Sequence, residues 1–380
     1  RFLFFWIFHA LVKLIKLLRV YVLKGLKYRT YLKISMAYME YTLDDVSLPH
    51  MVKIDKLELG DFPLLLAPME DVSDPPFRAL CKENGADLMF TEFISTEGLI
   101  RDAEKSVKKL DIYDQERPIG IQIFGSELES MMMSARIVEE ANPELLDINF
   151  GCPVKKVVCK MAGAGILRDI PKMVALTDAV VKSTKLPVTV KTRLGWDNDS
   201  IKIQEVAERL QDVGIKALSI HGRTRMQMYK GEADWAEIAK VKANPRIHIP
   251  IFGNGDIDSP EKALAYKERY CIDGIMIGRA AIGYPWIFRE IKHFMKTGEH
   301  LAPPSVEERV DTALKHLKTA IAWKGDVLGV LETRRHYGSY FRGFRDIKAY
   351  RMELVTANEA EALFDILEAI RERYKYETIQ

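Results

Sequence analysis

One cysteine of the chain stands in a setting that suits acid–base chemistry. Cys152 lies in the segment NFGCP, where Gly151 and Pro153 enforce a defined turn instead of a continued strand. A thiol held in such a loop can donate a proton, and a neighbouring Lys or Arg stabilises the thiolate that remains. The sequence therefore predicts that Cys152 is a catalytic proton donor.

Three further polar residues stand near the ends of short apolar runs. Lys191, in PVTVKTRLG, occupies a position where a packed strand favours an apolar side chain. A lysine there can stabilise negative charge on a ring or donate to a carbonyl, and a surface lysine is the less favoured interpretation in so apolar a run. His221, followed by Gly222 and Arg223, is open between a ligand contact and a structural role. The Gln122 amide can donate and accept hydrogen bonds at once, which suits the edge of a heterocycle.

Two glycine-bearing turns predict an anion site. The segments GNGD (253–256) and IGRA (277–280) each follow an apolar run. Glycine lets the backbone approach a phosphate closely, and Arg279 would neutralise its charge. Either turn alone is ordinary, but the two together favour a phosphate site.

The elements that must position these residues form one repeating pattern. Near-continuous apolar runs alternate with helical stretches, which is typical of a parallel sheet covered by helices, and eight such units predict a (β/α)8 TIM barrel. No G-x-G-x-x-G follows the first run, so a dinucleotide-binding Rossmann domain is disfavoured. Catalytic groups are expected at the carboxyl ends of the strands. The runs are LLLAPM (64–69), DLMFTEF (87–93), IGIQIFG (119–125), LLDINFGCP (145–153), PVTVKTRLG (187–195), ALSIHGRT (217–224), IPIFGNGD (249–256) and GIMIGR (274–279).

The C-terminal part has a different pattern. Residues 305–376 contain helical segments with no strand-like run, after an APPS linker at 302–305. We therefore expect a barrel domain over 51–300 and a small all-helical domain over 305–380. Asn358 is the expected N-cap of the last helix. The segment 334–351 interleaves six basic residues with aromatic ones; basic groups can bind phosphates and aromatic rings can stack on bases, although at least half of the rings are expected in the helical core.

Composition narrows the class of protein. The 380 residues are 48% hydrophobic and 29% charged, and the four cysteines form no CxxC pair. This argues against a zinc module, an iron–sulfur ferredoxin and a secreted disulfide scaffold, so we expect a cytoplasmic globular enzyme without a metal site. Cys81, Cys159 and Cys271 are interpreted as small core residues. Oligomeric state is not readable from the sequence, and a monomer is the simplest expectation.

Residues 1–50 are unlike the rest. They hold eight of the 56 basic residues but three of the 54 acidic ones, within a strongly apolar stretch. Charges interrupt any window of about 20 residues, so a spanning helix is disfavoured. A basic helix lying on a membrane surface is one interpretation, and an extension that is not native is the favoured one. No stable membrane association is expected for residues 51–380.

The motifs together resemble one family. The series LAPMEDVSDPPFR, QIFGSE, DINFGCPVKKV, PVTVKTRLGWD, IHGRTRMQMYKGEADW, IFGNGDI and GIMIGRAAIGYPWIF is similar to the bacterial tRNA-dihydrouridine synthases, with the B-type branch nearest. The resemblance runs from about Met51 to the C-terminal helices. It implies an FMN-dependent reductase that acts on uridine in tRNA, with NADPH as the family's reductant.

The resemblance also implies roles for individual residues. Cys152 would protonate C5 of the uracil, opposite a hydride delivered to C6. The flavin ring would pack on Ala67, Pro68 and Met69, and its edge would hydrogen-bond to Gln122. Lys191 would lie at the pyrimidine end of the ring, and His221 would lie near the ring or the ribityl chain. The phosphate would be bound by Asn254, Gly255, Asp256, Gly278 and Arg279.

Two rival functions stay open. A small-molecule FMN oxidoreductase of the dihydropyrimidine or dihydroorotate dehydrogenase type would share the barrel, but would have little use for the basic helical segment. A tRNA-folding chaperone without turnover would have no use for Cys152 and Lys191. The sequence therefore favours the tRNA-dihydrouridine synthase interpretation, with tRNA as partner.

Overall fold

Eight parallel strands form the barrel that the apolar runs predict. The structure is a computed structural model that describes residues 51–377, so the predictions for residues 1–50 lie outside the described residues. An antiparallel hairpin of β1 (Val52–Ile54) and β2 (Leu57–Gly60) precedes the barrel. Every run contains one barrel strand: β3 (Leu64–Leu66), β4 (Met89–Phe90), β6 (Ile119–Phe124), β7 (Leu145–Asn149), β8 (Val188–Arg193), β9 (Ala217–His221), β10 (Ile251–Asn254) and β11 (Gly274–Ile277). A short strand β5 (Ile94–Ser95) adds to β6.

The barrel closes at β3, which lies between β11 and β4. Strand β3 pairs with β11 on one side, and on the other Leu65 bridges to Leu88, next to β4. The Leu66 amide donates to the Leu88 carbonyl oxygen at 3.0 Å, which continues the ladder around the barrel. The (β/α)8 prediction is confirmed. Because all eight strands are parallel, their carboxyl ends meet at one mouth.

The longer helices cover the outside of the barrel because each of them presents an apolar face to the strands. Asp74 caps the first long helix by accepting a hydrogen bond from the Phe77 amide at 2.9 Å. The helices are α1 (Pro75–Glu83), α2 (Thr96–Leu99), α3 (Glu104–Lys108), α4 (Leu128–Glu140), α5 (Lys155–Val158), α6 (Ile170–Ser183), α7 (Ile203–Asp212), α8 (Trp235–Lys242), α9 (Pro260–Tyr270) and α10 (Ile287–Thr297). In the part of the chain that the structure describes, we find no helix with the length and hydrophobicity to cross a membrane.

The cysteine predictions are partly wrong. Cys81 is buried in α1, as expected. Cys159 and Cys271 are exposed: Cys159 follows the short helix α5, and Cys271 ends α9 in a left-handed conformation with φ of +49°. Their neighbours Val158 and Ile272 are buried while the two thiols are not, so an apolar neighbour in sequence did not indicate burial of the cysteine itself.

Four helices follow the barrel and enclose a second apolar core. They are α11 (Val306–Lys324), α12 (Asp326–Tyr340), α13 (Lys348–Thr356) and α14 (Ala360–Tyr374). Ser305, at the end of the predicted APPS linker, caps α11 by accepting from the Glu308 amide. The predicted N-cap Asn358 is wrong: Glu359 holds that position, and Asn358 instead accepts a hydrogen bond from Arg334 at 2.7 Å.

The aromatic residues of the segment 334–351 belong mainly to this second core. Tyr337, Tyr340, Phe341 and Phe344 are buried, so the expectation that at least half would pack inside is confirmed. The basic residues of the segment stay nearer the surface, and the exposed ones are Arg335, Arg342, Arg345 and Lys348.

The C-terminal helices α11 and α12 pack on the barrel at α1 and at the loop after β11. Lys324 pairs with Asp74 at 2.7 Å, and the Gly283 amide donates to His336 Nδ1 at 3.1 Å. The Phe77 ring lies 4.6 Å from that of His336. Residues from Met51 onward form one compact unit. The division into domains at 51–300 and 305–380 stays a prediction, although the change from strands to helices falls between these bounds.

Candidate active site

A cavity of about 1270 Å³ opens at the barrel mouth. The carboxyl ends of the strands form its floor, and residues of the helical region, including Arg309 and Arg342, contribute to its wall. All the predicted site residues except Gln122 line it: Ala67, Pro68, Met69, Cys152, Lys191, His221, Asn254, Gly255, Asp256, Gly278 and Arg279. The topology of parallel strands thus gathers residues that lie more than 200 positions apart in the sequence.

Lys191 reaches the cavity from β8 and contacts a side chain of β10, two strands away in the barrel. Its Nζ donates to Asn254 Oδ1 at 3.2 Å, and the Asn254 amide nitrogen donates to the Met276 carbonyl oxygen at 2.8 Å. Burial lowers the pKa of Lys191 to about 8, and the nearby Arg193 acts in the same direction. The amine is therefore a cation at neutral pH that gains stability from any negative charge placed in the cavity.

His221 is neutral in this setting. Burial, followed by the charges of Arg193 and Lys191, lowers the pKa of its imidazole well below the ordinary value. Its Nε2 lies 3.3 Å from an Arg223 guanidinium nitrogen. A neutral ring next to a fixed donor offers the cavity a hydrogen-bonding group without adding charge.

Two arginines converge on Asp256 in the predicted phosphate turn. Arg223 donates to Asp256 Oδ2 at 2.7 Å and Arg279 donates to Oδ1 at 3.0 Å. Although burial opposes it, the hydrogen bond from Arg223 and the amide of Ala233 hold the pKa of Asp256 below its ordinary value. Gly255, with φ of +124°, adopts a backbone conformation that favours glycine. One carboxylate beside two guanidiniums leaves a net positive charge for an anion.

Side chains of two paired strands, β7 and β8, fix the Cys152 loop. Asn149 Oδ1 accepts from the backbone amides of Gly151 and Cys152, both at 2.9 Å. Arg193 donates to the Gly151 carbonyl oxygen at 2.7 Å. Burial raises the pKa of the Cys152 thiol, so it is protonated at neutral pH and can act as an acid.

Gln122 lies below the cavity and not on its wall. Its side chain is fully buried, its Nε2 donates to Asp147 at 2.5 Å, and its Oε1 accepts from Asn149 at 2.8 Å. The structure thus places Gln122 beside the residue that holds the cysteine loop. Contact between this amide and a ligand stays a prediction.

Four residues that sequence reasoning did not select belong to the site: Asn149, Arg193, Arg223 and Tyr229. Three of them stand within four residues of a selected one, so position at a strand end was an available signal. Tyr229 stands on the loop after β9, and its ring lies 5.6 Å from the Arg193 guanidinium and 5.3 Å from that of Arg279. Because Tyr229 is eight residues beyond the end of β9, no sequence pattern indicated that it would contact these arginines.

Solved structures share the architecture. The chain superposes on histamine dehydrogenase from Rhizobium sp. 4-9 with a TM-score of 0.52 and 11% identity, over 70% of this chain and 50% of that one. A 2-naphthoyl-CoA reductase gives a TM-score of 0.51 and 12% identity, over 65% of this chain and 52% of the reductase. At such identities the likeness establishes the barrel fold and nothing finer.

Sequence relatives are much closer. The chain is 41% identical to tRNA-dihydrouridine synthase B of Pseudomonas putida over 300 residues, which is 79% of this chain and 88% of the relative. It is 36% identical to a probable tRNA-dihydrouridine synthase of Rickettsia bellii, over 83% of this chain and 96% of the relative. The family model described as dihydrouridine synthase matches residues 65–375, across the barrel and the C-terminal helices. The chain is a member of the dihydrouridine synthase family.

Proposed function

We propose that this protein reduces the C5–C6 double bond of uridines in tRNA, with FMN as hydride carrier and NAD(P)H as reductant. The observation that carries the proposal is the placement of Cys152, Lys191 and the arginine-flanked turn on one cavity, in a chain 41% identical to a tRNA-dihydrouridine synthase B. A proton donor, a cation for reduced-ring charge and an anion site are what this reaction requires.

The cavity fits FMN by the chemistry of its lining. A Cβ atom at Gly278 would lie 3.5 Å from Ala67 and 3.7 Å from the Met69 sulfur, so glycine keeps that apolar wall open for a flat ring. At Gly255, a Cβ atom would come within 2.7 Å of the Ala233 Cβ atom and 3.1 Å of the His221 ring, so only glycine fits between them at this turn. Arg223 and Arg279 would hold the phosphate, and Lys191 would face the ring. When bound, FMN would supply the hydride that reduces the pyrimidine.

Cys152 supplies the proton in this proposal. Its thiol is protonated at neutral pH, and Arg193, whose pKa of about 10 keeps it charged, lies close enough to favour the thiolate that forms. Asn149 and Arg193 fix the backbone just before the thiol, and the Ala164 amide donates to the Cys152 carbonyl oxygen at 3.0 Å just after it, so proton donation needs no loop rearrangement.

The helical region is proposed to bind tRNA. A uracil stacked inside folded tRNA must be extruded before it can enter the barrel mouth. Arg342 borders the cavity, and the other exposed basic residues of 334–351 surround it in sequence. Because Tyr337, Tyr340, Phe341 and Phe344 are buried and Tyr350 is half-buried, phosphate contacts more than base stacking are the interaction that this surface offers.

The full-length chain tests the proposal through its absorbance spectrum. We expect a bound-flavin spectrum that NADPH bleaches and that tRNA containing uridine restores. Restoration by free pyrimidines alone would instead indicate a dehydrogenase of small pyrimidines. A protein that binds tRNA without any flavin would contradict both enzymatic functions and leave the chaperone.

Arg279 should determine the preference for FMN over riboflavin. Its side chain is more than half exposed, so Arg279→Ala removes a phosphate partner with little effect on packing. We expect FMN affinity to fall about 10-fold or more, because a charge-assisted bond contributes about 1.5–3 kcal/mol, with riboflavin affinity nearly unchanged. Fluorescence titration measures both constants. Arg269→Ala, on exposed surface outside the cavity lining, is the matched control, and an equal loss for both flavins would contradict this role.

A further inference from the structure

A chain of buried side chains runs under the cavity to the cysteine loop. Thr189 Oγ1 donates to Asp147 Oδ1 at 2.5 Å, and Gln122 Nε2 donates to Asp147 Oδ2 at 2.5 Å. Asn149 Nδ2 then donates to Gln122 Oε1 at 2.8 Å. Register explains the alignment: Gln122 pairs with Asp147, Asp147 pairs with Thr189, and Asn149 stands two residues further along the same face of β7.

The direction of every bond in this chain is determined by its upper end. Backbone amides can only donate, so the two that meet Asn149 require its oxygen to face the loop. The Asn149 nitrogen must then face Gln122, whose oxygen accepts and whose nitrogen points to Asp147. Asp147 is therefore required as an acceptor at the lower end.

Asp147 has no route to solvent through which water could replace it as this acceptor, since it is 1% exposed. Burial raises its pKa to about 6, against the effect of the bonds from Thr189 and Gln122 and of the Lys191 charge. It is thus mainly a carboxylate at neutral pH, and a carboxylate accepts hydrogen bonds but donates none.

We propose that Asp147 is a positioning residue: as the buried acceptor that ends the chain Gln122–Asn149, it directs the Asn149 oxygen onto the amides of Gly151 and Cys152 and so holds the proton donor in place. Its consequence for the reaction rests on the proposed function, whereas its effect on the loop does not. Asp147, on strand β7, thus controls the position of the thiol through the hydrogen bonds of Gln122 and Asn149, without contacting the thiol itself.

Two variants of Asp147 separate this role from simple packing. In Asp147→Leu, Gln122 loses its acceptor, so we expect hydrogen exchange at the Gly151 and Cys152 amides to quicken at least 10-fold. We also expect kcat for tRNA to fall at least 10-fold, with KM and FMN content within about twofold. Asp147→Asn is the matched control, because its oxygen can accept from Gln122 while its nitrogen donates to Thr189 Oγ1. Exchange and kcat should return to within about threefold of the wild type.

A reversed chain keeps the proposal testable even where Asp147→Leu fails to fold. Asn149→Asp leaves Gln122 between two carboxylates, which its single amide cannot satisfy, so we expect a lower urea midpoint of unfolding. In the double variant Asp147→Asn/Asn149→Asp, a flipped Gln122 donates to position 149 and accepts from 147. Adding Asp147→Asn should therefore raise the urea midpoint that Asn149→Asp alone lowers.

Either of two results would overturn the proposal. One is unchanged exchange at the loop amides in folded Asp147→Leu, and the other is additive loss of stability in the double variant. Both readouts use the full-length chain without tRNA. If the wild type failed to reduce tRNA, the proposed function would fall while these measurements still decided the role of Asp147.

Discussion

Cys152→Ala is expected to reduce uridine in tRNA about 10²- to 10⁴-fold more slowly than the wild type, the range for loss of a general acid. Its flavin spectrum and its bleaching by NADPH should stay normal. The thiol borders the cavity, but the contacts that fix the loop are made by the backbone at 151 and 152. Removing one sulfur atom therefore deletes the proton donor and leaves the cavity in place.

Cys152→Ser sharpens the experiment. A serine hydroxyl has nearly the same shape as a thiol, yet it is a far weaker acid and forms its anion at much greater cost. We expect Ser to rescue no more than a small part of the rate. Single-turnover reoxidation of the reduced flavin by tRNA measures this step apart from NADPH binding.

Cys159→Ala is the matched control for both variants. Cys159 is exposed and lies outside the cavity lining, so its removal should leave the rate within about twofold of the wild type. A Cys152→Ala enzyme that retained a fifth or more of the wild-type rate would show that another group delivers the proton.

The predictability of the site follows from the barrel's geometry. Short apolar runs identified all eight strands, and parallel strands bring their carboxyl ends to one mouth, so Lys191 and Asn254 could be assigned to one site before their 3.2 Å contact was seen. Depth along a strand was harder to predict. Gln122 and Asn149 both face the interior, but only Asn149 lines the cavity, because Gln122 pairs with Asp147 and so lies two residues further from the carboxyl ends of the strands.

Side-chain partners far apart in sequence were the other limit. The basic and aromatic residues of 334–351 alternate too closely to assign helix faces from periodicity, so only the structure shows that Tyr340 and Phe341 are fully buried. Asn358 has the residue type of an N-cap, but Arg334, 24 positions away, binds its oxygen. Such tertiary contacts override local propensity.

Lys191→Met is expected to stabilise the cofactor-free protein while it abolishes efficient flavin binding. Methionine keeps a similar length and apolar stem, but it removes an ammonium group from a site that disfavours charge. The pKa of Lys191 is about 8 in the folded protein against 10.5 for an ordinary lysine. We expect the free energy of unfolding without FMN to rise by about 1–3 kcal/mol at pH 7.

The pH dependence of this gain follows from proton linkage. Between pH 8 and 10.5 the unfolded wild type binds more protons at Lys191 than the folded protein does, so wild-type stability from this group rises with pH. Below pH 8 both states are protonated and the full cost of burying the charge is present. The advantage of Lys191→Met should therefore be largest at neutral pH and should fade as the pH approaches 10.5. Urea unfolding of the FMN-free proteins at pH 7 and pH 10 measures both limits.

The same substitution should weaken FMN binding and catalysis while it stabilises the fold. Without the amine, the ring site that Lys191 and Asn254 border loses the ammonium group of Lys191, so we expect FMN affinity to fall at least 10-fold and kcat to fall further. Lys185→Met is the matched control, since Lys185 is exposed just before β8 and outside the cavity lining. If Lys191→Met destabilised the cofactor-free protein, or bound FMN as well as Lys185→Met does, Lys191 would be a packing residue. A gain in stability together with a loss of FMN binding would instead show that the positive charge of Lys191 lowers the stability of the barrel and is retained because it stabilises the reduced flavin.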